Sequence, residues 1–240
     1  MNLKKIYRLV KSKFLPLLYF GFKYKCPYCN RSFRKFLSAG INKRPNAKCP
    51  SCSSLERHRL LWLYLKNKTN FFKDNIKVLD IAPTLFFHKM CKSFHNIDYT
   101  SMDISSPLAI IKMDITDIKL SDEQFDCIIC YHVLEHIIDD KKAIEELYRV
   151  LKFGGWAIIQ SPIDIKRKET FEDNKIINYK DREKMFGQGD HVRIYGTDYK
   201  LKLENVGFKV RVDRYSKNLS NNVSEKFGLL KNEDIYYCTK

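Results

Sequence analysis

From residue 76 onward, short apolar runs of strand length alternate with helix-length stretches, and no other feature constrains the fold as much. "IKVLDIA" is a strand, followed by a helix through "LFFHKMCKSF". "DYTSMDIS" is a second strand, "AIIKMDITDI" contains a short third, and "FDCIICYHV" is the fourth. "DDKKAIEELYRVLKFGG" is a helix closed by Gly154 and Gly155, and "WAIIQSPI" is the fifth strand. After an irregular polar stretch come a helix, "TDYKLKLENVG", a strand, "FKVRVDRYS", and a last strand near "DIYYCTK". This order predicts an α/β domain with a mainly parallel sheet and helices on both faces. The last two strands have no helical pattern between them, which suits an antiparallel closing pair.

Charge divides the chain. Residues 1–70 carry 17 Lys or Arg and one acid, Glu56, whereas residues 71–240 carry 27 of each sign. The whole formal excess of +16 therefore sits in the first part, which is built to meet something anionic. Three segments follow: a basic, aromatic arm over 1–25, a cysteine module with its following helix over 26–70, and the alternating domain over 71–240. The longest uncharged run of the arm, Phe14 to Phe22, is too short to span a bilayer. No small-residue cleavage site follows it, so a signal peptide is a poor fit. Leu3, Ile6, Val10, Phe14 and Leu17 share one helical face, with Lys4, Arg8 and Lys11 around the other. Such a helix either packs on the domain that follows or lies on an anionic membrane surface.

Four of the eight cysteines form two C-P-x-C pairs, Cys26 with Cys29 and Cys49 with Cys52, in the spacing C-x2-C-x19-C-x2-C. Each pair can turn two thiolates onto one ion, and two such knuckles close a tetrahedron around zinc. Four sulfur ligands leave no open position, so the role is structural. The remaining cysteines, Cys91, Cys127, Cys130 and Cys238, are scattered, which fits a reducing, cytoplasmic compartment. "SLERHRLLWLYLKNK" then reads as a helix with Ser53 or Ser54 as N-cap and Leu55, Leu60, Leu61, Leu63, Tyr64 and Leu65 as its apolar face. His58 belongs to that helix and is read as a non-ligand.

"HVLEH" at 132–136 matches H-x-x-E-H, a zinc-protease spacing that puts His132, Glu135 and His136 on one helical face. It follows directly on a buried strand, and a third protein ligand is not evident in the sequence, which argues against a protease.

"VLDIAPT", "YTSMDIS", "KMDITDI" and the run "FDCIICYHVLEHIIDDKKAIEELYRVLKFGGWAII" stand in the order and spacing of the class I S-adenosylmethionine-dependent methyltransferases. The chain from about 76 to 240 resembles that family, and in particular a bacterial branch with an N-terminal four-cysteine module and A-P in the first loop. The resemblance implies a Rossmann-like, seven-stranded sheet with the last strand antiparallel, plus a small zinc-ribbon module. It also exposes a departure, because Ala82, Pro83 and Thr84 replace the G-x-G of the wider family. Glycines serve close approach to a pyrophosphate, and S-adenosylmethionine has none. Pro83 is suited to the start of a helix, where its missing N–H has no intrahelical partner.

By the resemblance, Asp80 would bind near the methionine ammonium, with Ala82 and Pro83 in the loop beside it. Asp103 would accept from the ribose hydroxyls, and Asp114 from the adenine amino group, with Ile115 beside the ring. Cys130, Tyr131 and His132 would lie near the transferable methyl. The stretch "FGQGDHVRIYG" at 186–196 resembles a D-H-x-R-x-Y-G element of the same branch. There Gly187 and Gly189 allow a tight loop, His191 is favoured as base, and Asp190, Arg193 and Tyr195 supply an orienting carboxylate and an anion clamp. The expected activity is in-line methyl transfer to a small-molecule or glycan-like acceptor. RNA methylation through the basic zinc module is the alternative, and a non-catalytic cofactor-binding protein is a third. No N-P-P-[YF] motif follows the fourth strand, where "CYHV" stands instead, and this tilts the expectation away from RNA.

Overall fold

The computed structural model describes residues 14–41 and 43–240. The helical face expected from Leu3, Ile6 and Val10 lies outside the described residues. The chain forms two units. One takes in the described residues through Phe72 together with Arg214–Asp234, and the other takes in Lys73–Asp213 and Ile235–Lys240. Among the described residues, no helix is long and apolar enough to cross a membrane.

In the first unit, β1 (Phe20–Lys25) pairs antiparallel with β2 (Ser32–Phe33), and β3 (Leu37–Ala39) with β4 (Arg44–Lys48). Helix α1 (Glu56–Lys68) follows and buries Leu60, Leu61, Leu63, Tyr64 and Leu65. Its N-cap is Leu55, not Ser53 or Ser54. The Ser54 hydroxyl is committed elsewhere, 3.3 Å from Cys26 Sγ and 3.2 Å from Cys52 Sγ. In its place His58 Nδ1 accepts from the Leu55 N–H at 3.3 Å. Arg59, on the same helix, is fully buried. It donates to the carbonyls of Ala47 (3.0 Å) and Ser54 (2.8 Å), and to those of Phe227 (2.7 Å) and Gly228 (2.6 Å). Its guanidinium also lies 4.4 Å from the centre of the Phe36 ring. The sequence places 214–234 in the 71–240 domain without a helix. The structure forms two short helices there, Tyr215–Asn218 and Asn221–Phe227, and Arg59 holds the end of the second.

The second unit is built on a seven-stranded sheet. Its strands are β5 (Ile76–Ile81), β6 (Ile97–Asp103), β7 (Ile111–Lys112), β8 (Phe125–Tyr131), β9 (Leu151–Gln160), β12 (Lys209–Asp213) and β13 (Ile235–Thr239), in the order β12-β13-β9-β8-β5-β6-β7, and between β9 and β12 the chain forms a separate antiparallel pair, β10 (Phe171–Glu172) with β11 (Arg193–Ile194). Strands β9, β8, β5, β6 and β7 are mutually parallel, and β13 runs antiparallel to both β9 and β12. This is the expected α/β, Rossmann-like sheet. Helix α2 (Leu85–Cys91) follows β5, and α3 (Asp140–Val150) leads into β9. The α3 helix starts where Asp139 caps the Lys142 N–H at 3.0 Å, and it buries a stripe of Ala143, Ile144, Leu147 and Val150. That stripe joins Leu79, Phe125, Ile128, Ala157 and Ile159 in one apolar core.

Gly154 and Gly155 do not close the helix as the sequence suggests; α3 ends at Val150, and both glycines lie inside β9. Between the pairs Phe125↔Leu151 and Cys127↔Trp156, β8 advances two residues and β9 five, so the glycines form a bulge. Gly154 has φ 75°, and a Cβ on Gly155 would meet the Lys152 carbonyl at 2.9 Å.

Replacing Arg59 with Leu should remove four buried donors at once. We expect about 3 kcal/mol of lost stability in urea unfolding, together with faster proteolytic cleavage within 214–234.

Candidate functional site

The sheet order reverses around β5, and the carboxyl ends of β5 and β6 open there into a crevice of about 380 Å³. Crevices at such switch points are where open α/β sheets bind ligands. Ile81, Ala82, Met102, Met113, Ile115 and Val133 supply its apolar lining. Ala82 sits at φ 54°, the left-handed region that glycine normally occupies. Its N–H bonds the Met102 carbonyl at 2.9 Å, tying the loop to β6. The backbone thus takes a left-handed turn here without the glycine that usually permits one. Pro83 is buried and precedes Thr84, the N-cap of α2, so it lies just outside the helix rather than at its first position.

Asp103 and Asp114 both line the crevice. Asp103 Oδ1 accepts from the Ser105 N–H (2.7 Å), the Ser105 hydroxyl (3.4 Å) and the Ser106 N–H (2.6 Å). Asp114 Oδ1 accepts from the Thr116 N–H (2.8 Å) and hydroxyl (2.9 Å). Each carboxylate is therefore held through one oxygen, and the other accepts no hydrogen bond among the described residues.

Asp80 is not part of the crevice lining. It is buried and accepts a 2.6 Å hydrogen bond from the Tyr99 hydroxyl. Burial pushes its carboxyl up to about 7, against the opposing effect of that bond. Cys130 is fully buried in the core, and Tyr131 and His132 are partly exposed just beyond it; none of the three lines the crevice.

Past β8, residues Leu134–His136 form one turn of 3-10 helix. Glu135 is buried; its Oε1 lies 3.2 Å from His132 Nδ1, and its Oε2 accepts from the Ser161 hydroxyl at 3.0 Å. Burial opposes its ionisation, but the His132 contact, a backbone hydrogen bond and the nearby His136 together hold the carboxyl below its usual range. His136 reaches the crevice wall, and its ring meets His191 edge to face at 4.8 Å. His191 is buried, which lowers its pKa, while Glu135 acts in the opposite sense. Asp190 is exposed; its carbonyl oxygen lies 3.1 Å and its carboxylate 3.5 Å from His136 Nδ1.

The other two residues of the expected catalytic group do different work. Arg193 is buried and bonds the carbonyls of Leu134 (3.1 Å), Ile137 and Ile138 (2.8 Å), and Glu172 at 2.8 Å. Tyr195 is fully buried and donates to Asp140 at 2.7 Å. Every donor of Arg193 named here faces protein, so the geometry makes it a clamp on the 134–138 loop rather than on an anionic substrate. The sequence also leaves out much of the crevice lining. His136 enters it only through the discounted H-x-x-E-H match, and the rim residues Ile104 and Ile138, each 70 % exposed, carry no motif. A large apolar residue directly after a strand-end acid, as in Asp103-Ile104, is the signal that was available.

In the first unit the four thiols of Cys26, Cys29, Cys49 and Cys52 lie within 4.8 Å of one another. Cys26 and Cys52 are 3.6 Å apart and Cys29 and Cys49 3.7 Å, close to the ~3.8 Å that tetrahedral Zn–S bonds of about 2.3 Å require. The two knuckles repeat one geometry. Asn30 (φ 56°) and Ser53 (φ 62°) follow the second cysteine of each pair, and their N–H groups bond the Cys26 (2.9 Å) and Cys49 (3.0 Å) carbonyls.

Residues 72–159 match a family model described as a methyltransferase domain. A SAM-dependent methyltransferase from Archaeoglobus fulgidus is similar in structure, with TM-score 0.52 and 19 % identity, over 75 % of this chain and 93 % of that one. A methyltransferase of Haloferax volcanii in complex with the Trm112 methyltransferase activator gives TM-score 0.52 and 12 % identity, over 76 % and 90 %. An S-adenosylmethionine-dependent methyltransferase from Mesorhizobium loti gives TM-score 0.51 and 12 % identity, over 75 % and 96 %. No curated protein matches the chain. At these identities the likeness establishes the fold, which is that of the SAM-dependent methyltransferases.

The buried Asp80 carboxyl has a testable consequence. Its pKa is raised from 3.8 to about 7, so between those values the folded state holds a proton that the unfolded chain has lost. The stability it contributes is full below the lower value, falls as pH rises by up to about 1.4 kcal/mol per unit, and levels off above the higher one. Thermal unfolding across this range should show that decline, and Asp80→Asn, which keeps an acceptor for Tyr99, should flatten it.

Proposed function

We propose that the protein transfers a methyl group from S-adenosylmethionine to an oxygen of a small-molecule or glycan-like acceptor. One observation carries the cofactor assignment: two carboxylates at adjacent strand ends, each immobilised through one oxygen, flank an apolar slot of small-molecule size. A nucleoside suits this arrangement, with its ribose hydroxyls on Asp103 and its amino-bearing base on Asp114, against Met113 and Ile115. The sulfonium supplies an activated leaving group. The chain's own residues hold the donor, exclude water and align the acceptor for in-line attack. Asp80, buried near the first loop, gains from any cation that reaches it, because a positive neighbour favours its ionised form. The acceptor is taken to dock where the crevice wall ends at His136, next to the buried His191.

Attachment to an anionic membrane surface belongs to the same proposal. Leu17, Leu18, Phe20 and Phe22 are exposed, and Arg34 and Lys35 extend over the ring of the intervening Tyr19. The four thiols support a structural zinc ion, with Ser54 as a hydroxyl neighbour to two of them.

Calorimetry with S-adenosylmethionine and with its demethylated product should detect binding at one site per chain. Asp103→Ala should weaken that binding about tenfold or more, the loss expected for hydrogen bonds to a charged acceptor. Well-folded protein that takes up neither compound would overturn the assignment. Metal analysis should find about one zinc per chain, and Cys49→Ser should lose both the metal and much of the first unit's resistance to proteolysis.

A further inference from the structure

We propose that Glu135, His136 and His191 form a second metal site, for a divalent first-row ion whose open positions take oxygen atoms of the methyl acceptor. In the sequence, H-x-x-E-H lacks a third ligand. The fold supplies one from 55 residues beyond His136, because the 188–192 loop is tied to the 3-10 turn by a 2.9 Å hydrogen bond from the Val192 N–H to the Glu135 carbonyl. One ligand atom from each of Glu135, His136 and His191 lies within 4.8 Å of the others. Metal bonds of about 2.0–2.2 Å would bring such atoms to roughly 3–3.5 Å apart, so binding would draw the three side chains together.

The surroundings are those of a built site. His136 Nδ1 faces the Asp190 carbonyl at 3.1 Å; donating its proton there leaves the Nε2 lone pair for an ion. The Glu135 carboxylate is oriented at one oxygen by His132 and at the other by Ser161. Arg193 and Tyr195 immobilise the carbonyls on either side, those of Leu134, Ile137 and Ile138. Two imidazoles and a carboxylate suit zinc, iron(II), cobalt(II) or manganese(II), and three protein ligands leave coordination positions free. The four-thiolate cluster of the first unit, by contrast, leaves none.

The chemistry of this site rests on the methyl-transfer reading, whereas its test does not. A hydroxyl held by such an ion gives up its proton near neutral pH. The acceptor oxygen then bonds the methyl carbon, the carbon–sulfur bond breaks with its electron pair left on sulfur, and the proton passes to water. His191 thus acts on the acceptor through the ion, in place of the role of base expected from the sequence. A vicinal diol, as in a glycan, would occupy two open positions.

The test is a titration with Co²⁺ of the full chain carrying a single equivalent of zinc, which the four thiols hold, followed by visible absorption. We expect one further equivalent of Co²⁺ with d–d bands and no sulfur-to-cobalt charge transfer. Glu135→Gln, His136→Gln and His191→Gln should each weaken uptake at least tenfold, and His95→Gln, at an exposed position, should not. His136 is partly exposed, so its variant keeps the test decisive if the buried Glu135 variant misfolds. Absence of this second equivalent in folded protein, or equal uptake by all the variants, would overturn the proposal. Cobalt uptake without donor binding in calorimetry would instead leave the metal site standing and remove the methyl-transfer reading.

Discussion

The site depends on Arg193. A guanidinium 3 % exposed would be costly to bury alone, and Asp140 at 3.7 Å and Glu172 at 2.8 Å provide its counter-charges. Its remaining donors satisfy three carbonyls of a loop that has almost no regular structure to satisfy them internally. That loop, from Leu134 to Ile138, runs directly from the central strand β8 to the crevice wall. Tyr195 completes the arrangement by bonding Asp140, so the start of α3 and the segment after His191 share one polar junction. An irregular segment is held in place by charge and hydrogen bonding rather than by a ladder.

Ala82 shows what a binding loop can give up. The left-handed backbone at this position costs a residue with a Cβ roughly 1 kcal/mol, and the hydrogen bond to Met102 helps to hold it there. The turn keeps its left-handed geometry without glycine, and under the proposed function a sulfonium cofactor would not demand the close backbone approach that a pyrophosphate does. Under the same proposal, cofactor selection would rest on the acids at the strand ends, Asp103 and Asp114, and on the apolar slot.

The sheet was legible because buried parallel strands leave continuous apolar runs, as in "FDCIIC" and "AIIQ", and because the acids after them mark the strand ends. What escaped depended on contacts far away in sequence. Gly154 and Gly155 look like a helix stop, yet a bulge against β8 claims them. Ser54 has the chemistry of an N-cap, but the thiols compete for its hydroxyl. Arg193 and Tyr195 sit in a polar, glycine-flanked stretch that reads as reactive; only burial against the 134–138 loop assigns them to holding structure. His136 was visible only inside a motif that its surroundings argued against, and its partner lies at 191. Asp103, Asp114 and Ala82 were legible as crevice residues, whereas the sheltered position of Asp80 beside Tyr99 was not.

The first unit is discontinuous along the chain. Arg59, next to the second cysteine knuckle, finds two of its four carbonyls at Phe227 and Gly228, residues that follow β12 and precede the last strand. During synthesis the cysteine module therefore emerges well before the segment that supplies these two carbonyls. Closing a loop of this size carries an entropic penalty that grows slowly with length but delays assembly. An ion captured early by the thiols would give the nascent module a locally ordered nucleus while its last segment is still being made.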